Sequence, residues 1–399
     1  MHILFLVTHK IGKEMRPIVN CKISTTYNLA KWLVRRLKLF EKFESKSIKN
    51  SLELVKKIKN LKIEDDEMLI SYDVKSLYPS IPIKLGLQAL ENWLKFIKIS
   101  TEKIKEYCDL AQLCLSQNAF YFNGEIYMQL DGLMMGNPLS SLIAEIVMSE
   151  FECKVINGHP DAFSIWYRYV DDVIAKIKKE QEKGSLAILN SYNENIQFTS
   201  EPEKDQKIPF LDLELKREQE TLKFGIFRKS TNTDIYINKN AFNPKPHKFA
   251  AFNFMLNRAN RVPLDKKDYN EEIKKILQIA RKNGFEEDEI HKINKEIKLK
   301  IEKENVSQLP KEEREVKFRK FSYHPKFAPA FSRIFEKVNI KLCFNNRFNI
   351  SQQFSKKIEE KKPEIEEKGI YQINCLDCDK SYIGLTNRSL RVRATEHRR

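Results

Sequence analysis

The chain has 399 residues, and its hydrophobic fraction of 41% is enough for at least one sizeable core and two or three domains. Its 71 basic and 55 acidic residues give a net charge of +16, which favours a nucleic-acid partner over simple solubility or an anionic membrane surface. No apolar stretch reaches the roughly 18 residues of a membrane span, the N-terminal apolar run is too short for a secretion signal, and seven scattered cysteines do not indicate a disulfide framework. These features exclude a secreted or membrane-embedded protein and predict an intracellular one.

The first segment with chemical content is an apolar run that ends at a carboxylate. MLISYDVKSLYPSIP, residues 68–82, predicts a strand that ends near Asp73 and is followed by a turn into a helix. We expect Asp73 to project from the end of this strand.

The next segment combines a hairpin with a loop bracketed by glycines. Asn123-Gly124 lies between aromatic runs and predicts a β-hairpin. The loop 132–136 then leads into a helix, for which Asn137 is the expected N-cap and Pro138 the first residue. Five apolar residues follow at helical spacing and should face a core: Leu139, Leu142, Ile143, Ile146 and Val147.

The stretch WYRYVDDVIAKI, residues 166–177, places two aspartates between runs that predict buried strands. We expect a hairpin whose tight turn carries Asp171 and Asp172; the alternative is an ordinary acidic surface turn. If Asp73 faces the same tip, three clustered carboxylates raise each other's pKa and need cations to neutralise them. Mg²⁺ suits such ligands, and two ions about 3.5 to 4 Å apart support nucleotidyl transfer, which is polymerase chemistry.

Residues 263–320 are dense in Lys and Glu and carry two apolar stripes at helical spacing, the first of which ends at Gly284. They predict amphipathic helices whose charged face is either a solvated surface or a grip on nucleic acid. The stripes consist of Ile273, Ile276, Leu277 and Ala280, and of Ile290, Ile293, Ile297 and Ile301.

In combination, these motifs resemble the reverse transcriptase of Penelope-like elements. The palm motifs of that family are similar to DVKSLYPSIP, GLMMGNPLSSLIAEIVMSEFE and WYRYVDDVIAKI, and with IQFTSEPEKDQKIPFLDLEL and FRKSTNTDIYI the resemblance covers most of residues 16–260. It implies an α+β right-hand polymerase with partial fingers, a palm and a helical thumb. It also implies that Asp73, Asp171 and Asp172 bind two Mg²⁺ ions, assisted by the backbone of Val74.

The same resemblance assigns four residues to the substrates. Arg16 occupies the position of an arginine that grips the incoming triphosphate, a role that suits a guanidinium. Tyr78 corresponds to an aromatic residue beneath the sugar that selects deoxynucleotides, although a core tyrosine is the alternative. Gly136 and Pro138 would let the backbone approach the template and the nascent base pair.

The end of the chain carries a second resemblance, to GIY-YIG endonucleases. Gly369-Ile370-Tyr371 and Tyr382-Ile383-Gly384 have the spacing of that motif, and Arg393 and His397 continue it. The metal-binding glutamate that follows in such nucleases is not reached before Arg399, so we expect an incomplete small α/β domain. Cys375 and Cys378 could furnish half of a Zn²⁺ site, for which His397 is a further candidate ligand.

From these features we expect fingers and palm in residues 1–210, thumb and connector helices in 211–350, a charged linker in 351–367 and the partial endonuclease in 368–399. The expected partners are an RNA template, a DNA or RNA primer, dNTPs and target DNA, with action in the nucleus and no membrane. The oligomeric state is left open, and both ends of the chain are expected to be truncated. The alternatives are a catalytically silent nucleic-acid-binding remnant and a nuclease for which the polymerase part is a scaffold.

Overall fold

The computed structural model describes residues 4–7, 16–40, 45–122, 125–306, 317–345, 369–374, 381–386 and 388–397. The chain divides into two compact units. The first contains Met1–Asp234, Phe254–Ala280 and Ile290–Lys298, and the second contains Ile235–Asn253, Arg281–Glu289 and Leu299–Arg399.

Both units contain helices and strands, which confirms the predicted mixture of α and β structure. The helices in the described residues are α1 (Tyr27–Lys38), α2 (Ser51–Ile58), α3 (Leu77–Ser80), α4 (Ile83–Phe96), α5 (Thr101–Ser116), α6 (Ser140–Phe151), α7 (Glu182–Ser191), α8 (Lys245–Arg261), α9 (Lys266–Lys282), α10 (Glu287–Val306), α11 (Ala328–Glu336) and α12 (Leu390–His397). The strands are β1 (Leu4–Val7), β2 (Arg16–Val19), β3 (Glu67–Val74), β4 (Ala119–Phe122), β5 (Glu125–Met128), β6 (Ile165–Tyr169), β7 (Asp172–Lys178), β8 (Phe198–Pro202), β9 (Lys207–Phe210), β10 (Leu213–Glu218), β11 (Thr221–Ile226), β12 (Lys317–Ser322), β13 (Ile340–Asn345), β14 (Gly369–Asn374) and β15 (Ser381–Thr386).

A four-stranded antiparallel sheet, in the order β6-β7-β3-β8, forms the centre of the first unit. Successive side chains of a strand point to opposite faces, so each face of β3 meets a different core. Ile70 and Tyr72 face a core shared with α4, α5 and α6, whereas Leu69 faces a second core shared with α2 and the small sheet β9–β11. Burial on both faces holds β3 rigidly.

Aromatic packing joins α6 to the central sheet. The Phe151 ring lies 5.1 Å from that of Phe198 on β8 and 6.3 Å from that of Trp166 on β6. Such pairs add roughly 0.5–1.5 kcal/mol each beyond the area that they bury. The helix that follows the glycine loop is therefore fixed to the strands that carry the aspartates.

Two local predictions around this helix had different outcomes. The predicted hairpin is confirmed by its strands, since β4 and β5 pair with Phe122 opposite Glu125, while its turn residues Asn123 and Gly124 lie outside the described residues. The five predicted core residues at and after the start of α6 are all buried. The predicted helix start is wrong. The N-cap is Leu139, and Asn137 instead belongs to the preceding turn, where its Oδ1 accepts a hydrogen bond from the Leu139 amide.

The amphipathic helices predicted from the charged region are confirmed as α9 and α10. Ile276, Leu277 and Ala280 are buried on α9, and Gly284 after its end has a φ of +80°, which glycine adopts readily. Ile290 and Ile297 are buried on α10. In the part of the chain that the structure describes, no helix combines the length and apolarity needed to cross a bilayer.

The second unit includes two small strand pairs. β12 and β13 run parallel, with α11 between them in the chain, while β14 and β15 form an antiparallel hairpin that α12 follows. This hairpin contains both tripeptides that resemble the GIY-YIG motif, Gly369-Ile370-Tyr371 on β14 and Tyr382-Ile383-Gly384 on β15.

Candidate active site

Asp73 and Asp172 lie directly opposite each other on the neighbouring strands β3 and β7. The amide of Val74 donates to the carbonyl of Asp171 at 3.2 Å, so Val74 and Asp171 form the hydrogen-bonded pair and Asp73 and Asp172 the adjacent non-hydrogen-bonded pair. Side chains of such a pair share a face and approach closely, with Cβ atoms about 4.5–5.5 Å apart. The register thus brings two predicted site residues together.

Asp171 lies in the turn that joins β6 to β7. Tyr169 pairs with Asp172, which leaves Val170 and Asp171 as the two turn residues. The predicted turn, Asp171-Asp172, is therefore shifted by one residue, because Asp172 already belongs to the β7 ladder. Val170 has a φ of +58°, at the position where a type II′ turn usually has glycine, so a β-branched residue there is strained.

The chemistry of these donors fits a hard divalent cation. Like charges directly opposite each other destabilise a sheet unless something neutralises them, and Mg²⁺ is usually held by one or two carboxylates together with substrate phosphates. The atom of the Val74 backbone that could assist a cation is its carbonyl oxygen, because an amide N–H is only a hydrogen-bond donor. Within the described ranges, no group of three or more His, Cys, Asp or Glu residues is arranged to hold a metal ion.

The glycine loop packs backbone to backbone against its neighbours. Gly132 and Gly136 have φ values of +85° and +114°, and a Cβ at either position would overlap a carbonyl oxygen, that of Pro79 or that of Val19. The Val19 amide also donates to the carbonyl of Met135 at 2.9 Å. The loop is thereby fixed between strand β2 and the segment that follows Asp73.

Tyr78 packs against this loop, and Pro138 follows the loop in the chain. Tyr78 is half-buried; its hydroxyl is 3.3 Å from that of Ser141, and its carbonyl accepts a hydrogen bond from the Leu133 amide. Pro138 borders a small cavity that is also lined by Tyr27. Both residues thus lie on the glycine loop or against it.

Arg16 begins strand β2, where it pairs with Val7. Its side chain lies outside the part of the chain that the structure describes. The backbone of its strand meets the glycine loop at Val19.

A buried ion-pair network behind the hairpin was missed from the sequence. Arg168 is fully buried and pairs with Glu145 at 2.9 Å and with Glu152 at 2.6 Å. Burial alone would raise the pKa of Glu145, but the hydrogen bonds and charge of Arg168, with hydrogen bonds from Ser45 and Ser47, lower it below its usual value. Strand alternation places Arg168 on the same face as Trp166, and this signal could have identified it.

Tyr371 and Arg393 of the second unit also come together. Tyr371 pairs with Gly384 across the hairpin, and a Cβ on Gly384 would lie 2.5 Å from the Tyr371 ring. Arg393 on α12 donates from Nε to the Tyr371 hydroxyl at 3.0 Å and pairs with Glu396 at 2.7 Å. Hydrogen bonds from Arg393 lower the pKa of Glu396, although burial opposes this.

The remaining candidate residues of this region are only partly described. Tyr382 and His397 belong to β15 and α12, but their side chains lie outside the described part of the chain. Cys375 and Cys378, the proposed half of a zinc site, lie outside the described residues altogether.

Several solved polymerase structures are similar to this chain. Telomerase from Candida albicans, in a structure with a fragment of telomeric RNA, is 15% identical with a TM-score of 0.48, and the match covers 74% of this chain and 54% of that one. The RNA-dependent RNA polymerase of a human picorbirnavirus is 12% identical with a TM-score of 0.44, over 71% of this chain and 56% of that one. This chain thus spans little more than half the length of these structures, and no curated protein matches it.

Two family models match the sequence itself. Residues 235–295 match the animal helix-turn-helix domain, which was not predicted from the sequence. The feature that could have indicated it is the pair of apolar stripes separated by the turn at Gly284. Residues 8–224, more than half of the chain, match the reverse transcriptase (RNA-dependent DNA polymerase) family, and all three aspartates lie within this match. The chain therefore belongs to the reverse transcriptase family.

Proposed function

We propose that this chain is the RNA-directed DNA polymerase of a Penelope-like element, which copies an RNA template by adding dNTPs to a primer 3′-hydroxyl. The observation that carries the proposal is the pairing of Asp73 with Asp172, beside the turn residue Asp171 and within the region that matches the reverse transcriptase model. Fingers and palm in 1–210 and a thumb in 211–350 complete the proposed right hand, and the helix-turn-helix match lies inside the thumb.

Asp73, Asp171 and Asp172 would hold the divalent metal ions that this polymerase family generally uses, and we propose two Mg²⁺ ions. When bound, such ions activate the primer hydroxyl and stabilise the leaving pyrophosphate. The burial of β3 on both faces and the two-residue turn support this role, since they restrict the movement of the strand ends that carry the aspartates.

The chain's other residues would orient the substrates. Tyr78, held between the glycine loop and Ser141, would place its ring beneath the sugar and exclude a 2′-hydroxyl. The bare backbone at Gly136 and the ring of Pro138 would contact the template and the new base pair. Arg16 would bind the triphosphate, because a guanidinium forms bidentate bonds with phosphate oxygens.

Primer extension on an RNA template with Mg²⁺ tests this proposal. The wild type should incorporate dNTPs and Asp171→Asn should not, while Asp161→Asn, at an exposed aspartate on the loop before β6, should keep full activity. Equal incorporation by the wild type and Asp171→Asn would refute the metal assignment. No incorporation by any of the three proteins would favour the silent nucleic-acid-binding remnant.

A second candidate activity is Mg²⁺-dependent nicking of target DNA by residues 368–399, which would supply the primer. The contact between Arg393 and the Tyr371 hydroxyl favours it, since a tyrosine and an arginine held together can orient water and phosphate. Arg393→Ala should abolish nicking of a DNA duplex, and Arg391→Ala, at an exposed arginine on the same helix, should not. Nicking that survives Arg393→Ala would refute this role.

The proposed site of both activities in the cell is the nucleus.

A further inference from the structure

Arg168 is fully buried, and its guanidinium is saturated by groups from three different segments. A buried charge of this kind is costly unless it is paired and hydrogen-bonded, so each acceptor constrains where the side chain lies. The acceptors are Glu152 Oε1 at 2.6 Å, both Glu145 oxygens at 2.9 and 3.0 Å, Glu152 Oε2 at 3.3 Å, Ser45 Oγ at 3.3 Å and the Val170 carbonyl at 3.2 Å.

The two carboxylates that hold Arg168 come from outside the hairpin. Glu145 lies on α6, and Glu152 lies on the π-helical turn that continues α6. Glu152 also accepts hydrogen bonds from the Trp166 indole at 3.2 Å and the Lys46 amide at 3.1 Å. The guanidinium is therefore anchored to the helix that follows the glycine loop.

From this anchor, Nη1 of Arg168 donates to the carbonyl of Val170, the strained residue of the turn. A left-handed conformation costs an L-residue roughly 1–2 kcal/mol, so the surrounding structure must hold it in place. The conformation of this turn sets the positions of Asp171 and Asp172. The Asp171 carbonyl accepts a hydrogen bond from the Val74 amide, and Asp172 lies opposite Asp73.

We infer that Arg168 is a positioning residue for the metal-binding carboxylates. Tied to Glu145 and Glu152, it holds the Val170 carbonyl and keeps the turn in the one conformation that presents Asp171 and Asp172 to Asp73. The inference rests on the proposed polymerase function and adds to it a determinant of metal affinity that touches neither metal nor substrate.

Arg168→Lys tests the inference, because a lysine keeps the charge but has one nitrogen in place of three and cannot reach all six acceptor atoms that the guanidinium contacts. Loss of a supporting hydrogen bond behind metal ligands typically lowers metal affinity or activity about 10- to 100-fold. We expect the Mg²⁺ concentration for half-maximal primer extension to rise and kcat to fall within that range, with the KM for dNTP unchanged. Mn²⁺ binding to the protein alone, followed by electron paramagnetic resonance, should weaken in parallel.

Arg217→Lys is the matched control. Arg217 is another ion-paired arginine, with a side chain that is 9% exposed; it pairs with Glu203 at 3.2 Å and donates to the carbonyl of Glu67 at 3.1 Å, at the far end of β3 from Asp73. Its replacement should lower the melting temperature without changing Mn²⁺ affinity or the Mg²⁺ dependence of extension. Glu145→Gln, at the partly exposed edge of the network, is a milder second variant and should shift the Mn²⁺ affinity in the same direction as Arg168→Lys.

Val170→Gly provides a rescue that a purely structural role would not show. Glycine adopts the left-handed conformation without support, so adding Val170→Gly to Arg168→Lys should restore most of the lost Mn²⁺ affinity. Adding Val170→Gly to Arg217→Lys should not restore the melting temperature that Arg217→Lys lowers.

Three outcomes overturn the inference: unchanged Mn²⁺ affinity in Arg168→Lys and Glu145→Gln, equal losses of affinity in Arg168→Lys and Arg217→Lys, or no rescue by Val170→Gly. Failure of the polymerase proposal has a different signature. In that case the wild type extends no primer, yet its Mn²⁺ binding still depends on Arg168.

Discussion

Asp73 and Asp172 illustrate at the residue scale how the proposed catalytic arrangement would oppose stability. Two carboxylates in a directly opposed pair repel each other, and the strained Val170 next to them adds a further cost. Neither feature helps the sheet to fold. Both are understandable if the pair exists to bind cations.

Asp172→Asn should abolish primer extension and most of the stabilisation that Mg²⁺ gives to the native protein. Added Mg²⁺ should raise the melting temperature of the wild type, because a ligand of the native state stabilises it, and should raise that of the variant much less. An equal response of the two proteins to Mg²⁺ would contradict the site.

Gly136→Ala should disrupt the loop between β2 and α6. A Cβ there would overlap the Val19 carbonyl oxygen, and φ is +114°, so we expect a loss of about 2 kcal/mol or more together with loss of primer extension. Gly184→Ala on α7 is the matched control, since nothing lies within 4 Å of its added Cβ. Alanine at that helical position should stabilise the protein by roughly 0.5–1 kcal/mol, measured by urea denaturation.

At the scale of elements, α6 connects the glycine loop to the acidic hairpin. Its apolar face packs on the central sheet through Phe151, while Glu145 and the adjacent Glu152 hold Arg168 of β6. One helix thus fixes both the loop that would contact the base pair and the strand that leads to the carboxylates. This explains why a helix made mainly of core residues matters for the site.

The pKa of Glu145 predicts how this link depends on pH. Because its folded pKa lies below its usual value, its ionised form stabilises the protein above about pH 5, and this contribution disappears as the pH falls through the folded pKa. Glu145→Gln should cost about 2 kcal/mol at neutral pH, the scale of a hydrogen bond to a charged group. Urea denaturation from neutral pH to about pH 3 should show the two proteins converging at the acid end. A gap that stays constant would contradict this role for Glu145.

At the scale of the whole molecule, the net charge of +16 favours contact with nucleic-acid phosphates. The net positive charge is a property of the whole chain, whereas the carboxylates of the candidate site form one small acidic region. A basic protein can therefore attract an RNA over long range and still bind cations at an acidic centre, as we propose for this one.

Binding of single-stranded RNA should accordingly weaken as salt rises. Because phosphate contacts release counterions, the affinity should fall at least about tenfold between about 50 and about 200 mM salt, measured by fluorescence anisotropy. An uncharged peptide nucleic acid of the same base sequence is the control and should show little salt dependence. Salt-independent binding of the RNA would contradict an electrostatic interface.

Predictions from local patterns succeeded where near neighbours in the chain decide the structure. The strand at Asp73, the hairpin at Asn123-Gly124 and the buried stripe of α6 follow from alternation, turn chemistry and helical period. The start of α6 was misplaced because Asn137 can cap a turn as readily as a helix, and local sequence does not distinguish the two.

Pairings between residues far apart in the chain could not be obtained in this way. The register that sets Asp73 opposite Asp172 and the network that joins Arg168 to Glu145 both depend on how whole elements pack. A shift of one residue in that register would turn every side chain of β7 to the other face. The amino-acid order therefore specifies which residues can take part in the chemistry, and packing specifies which of them meet, because burial on both faces of β3 allows only one register.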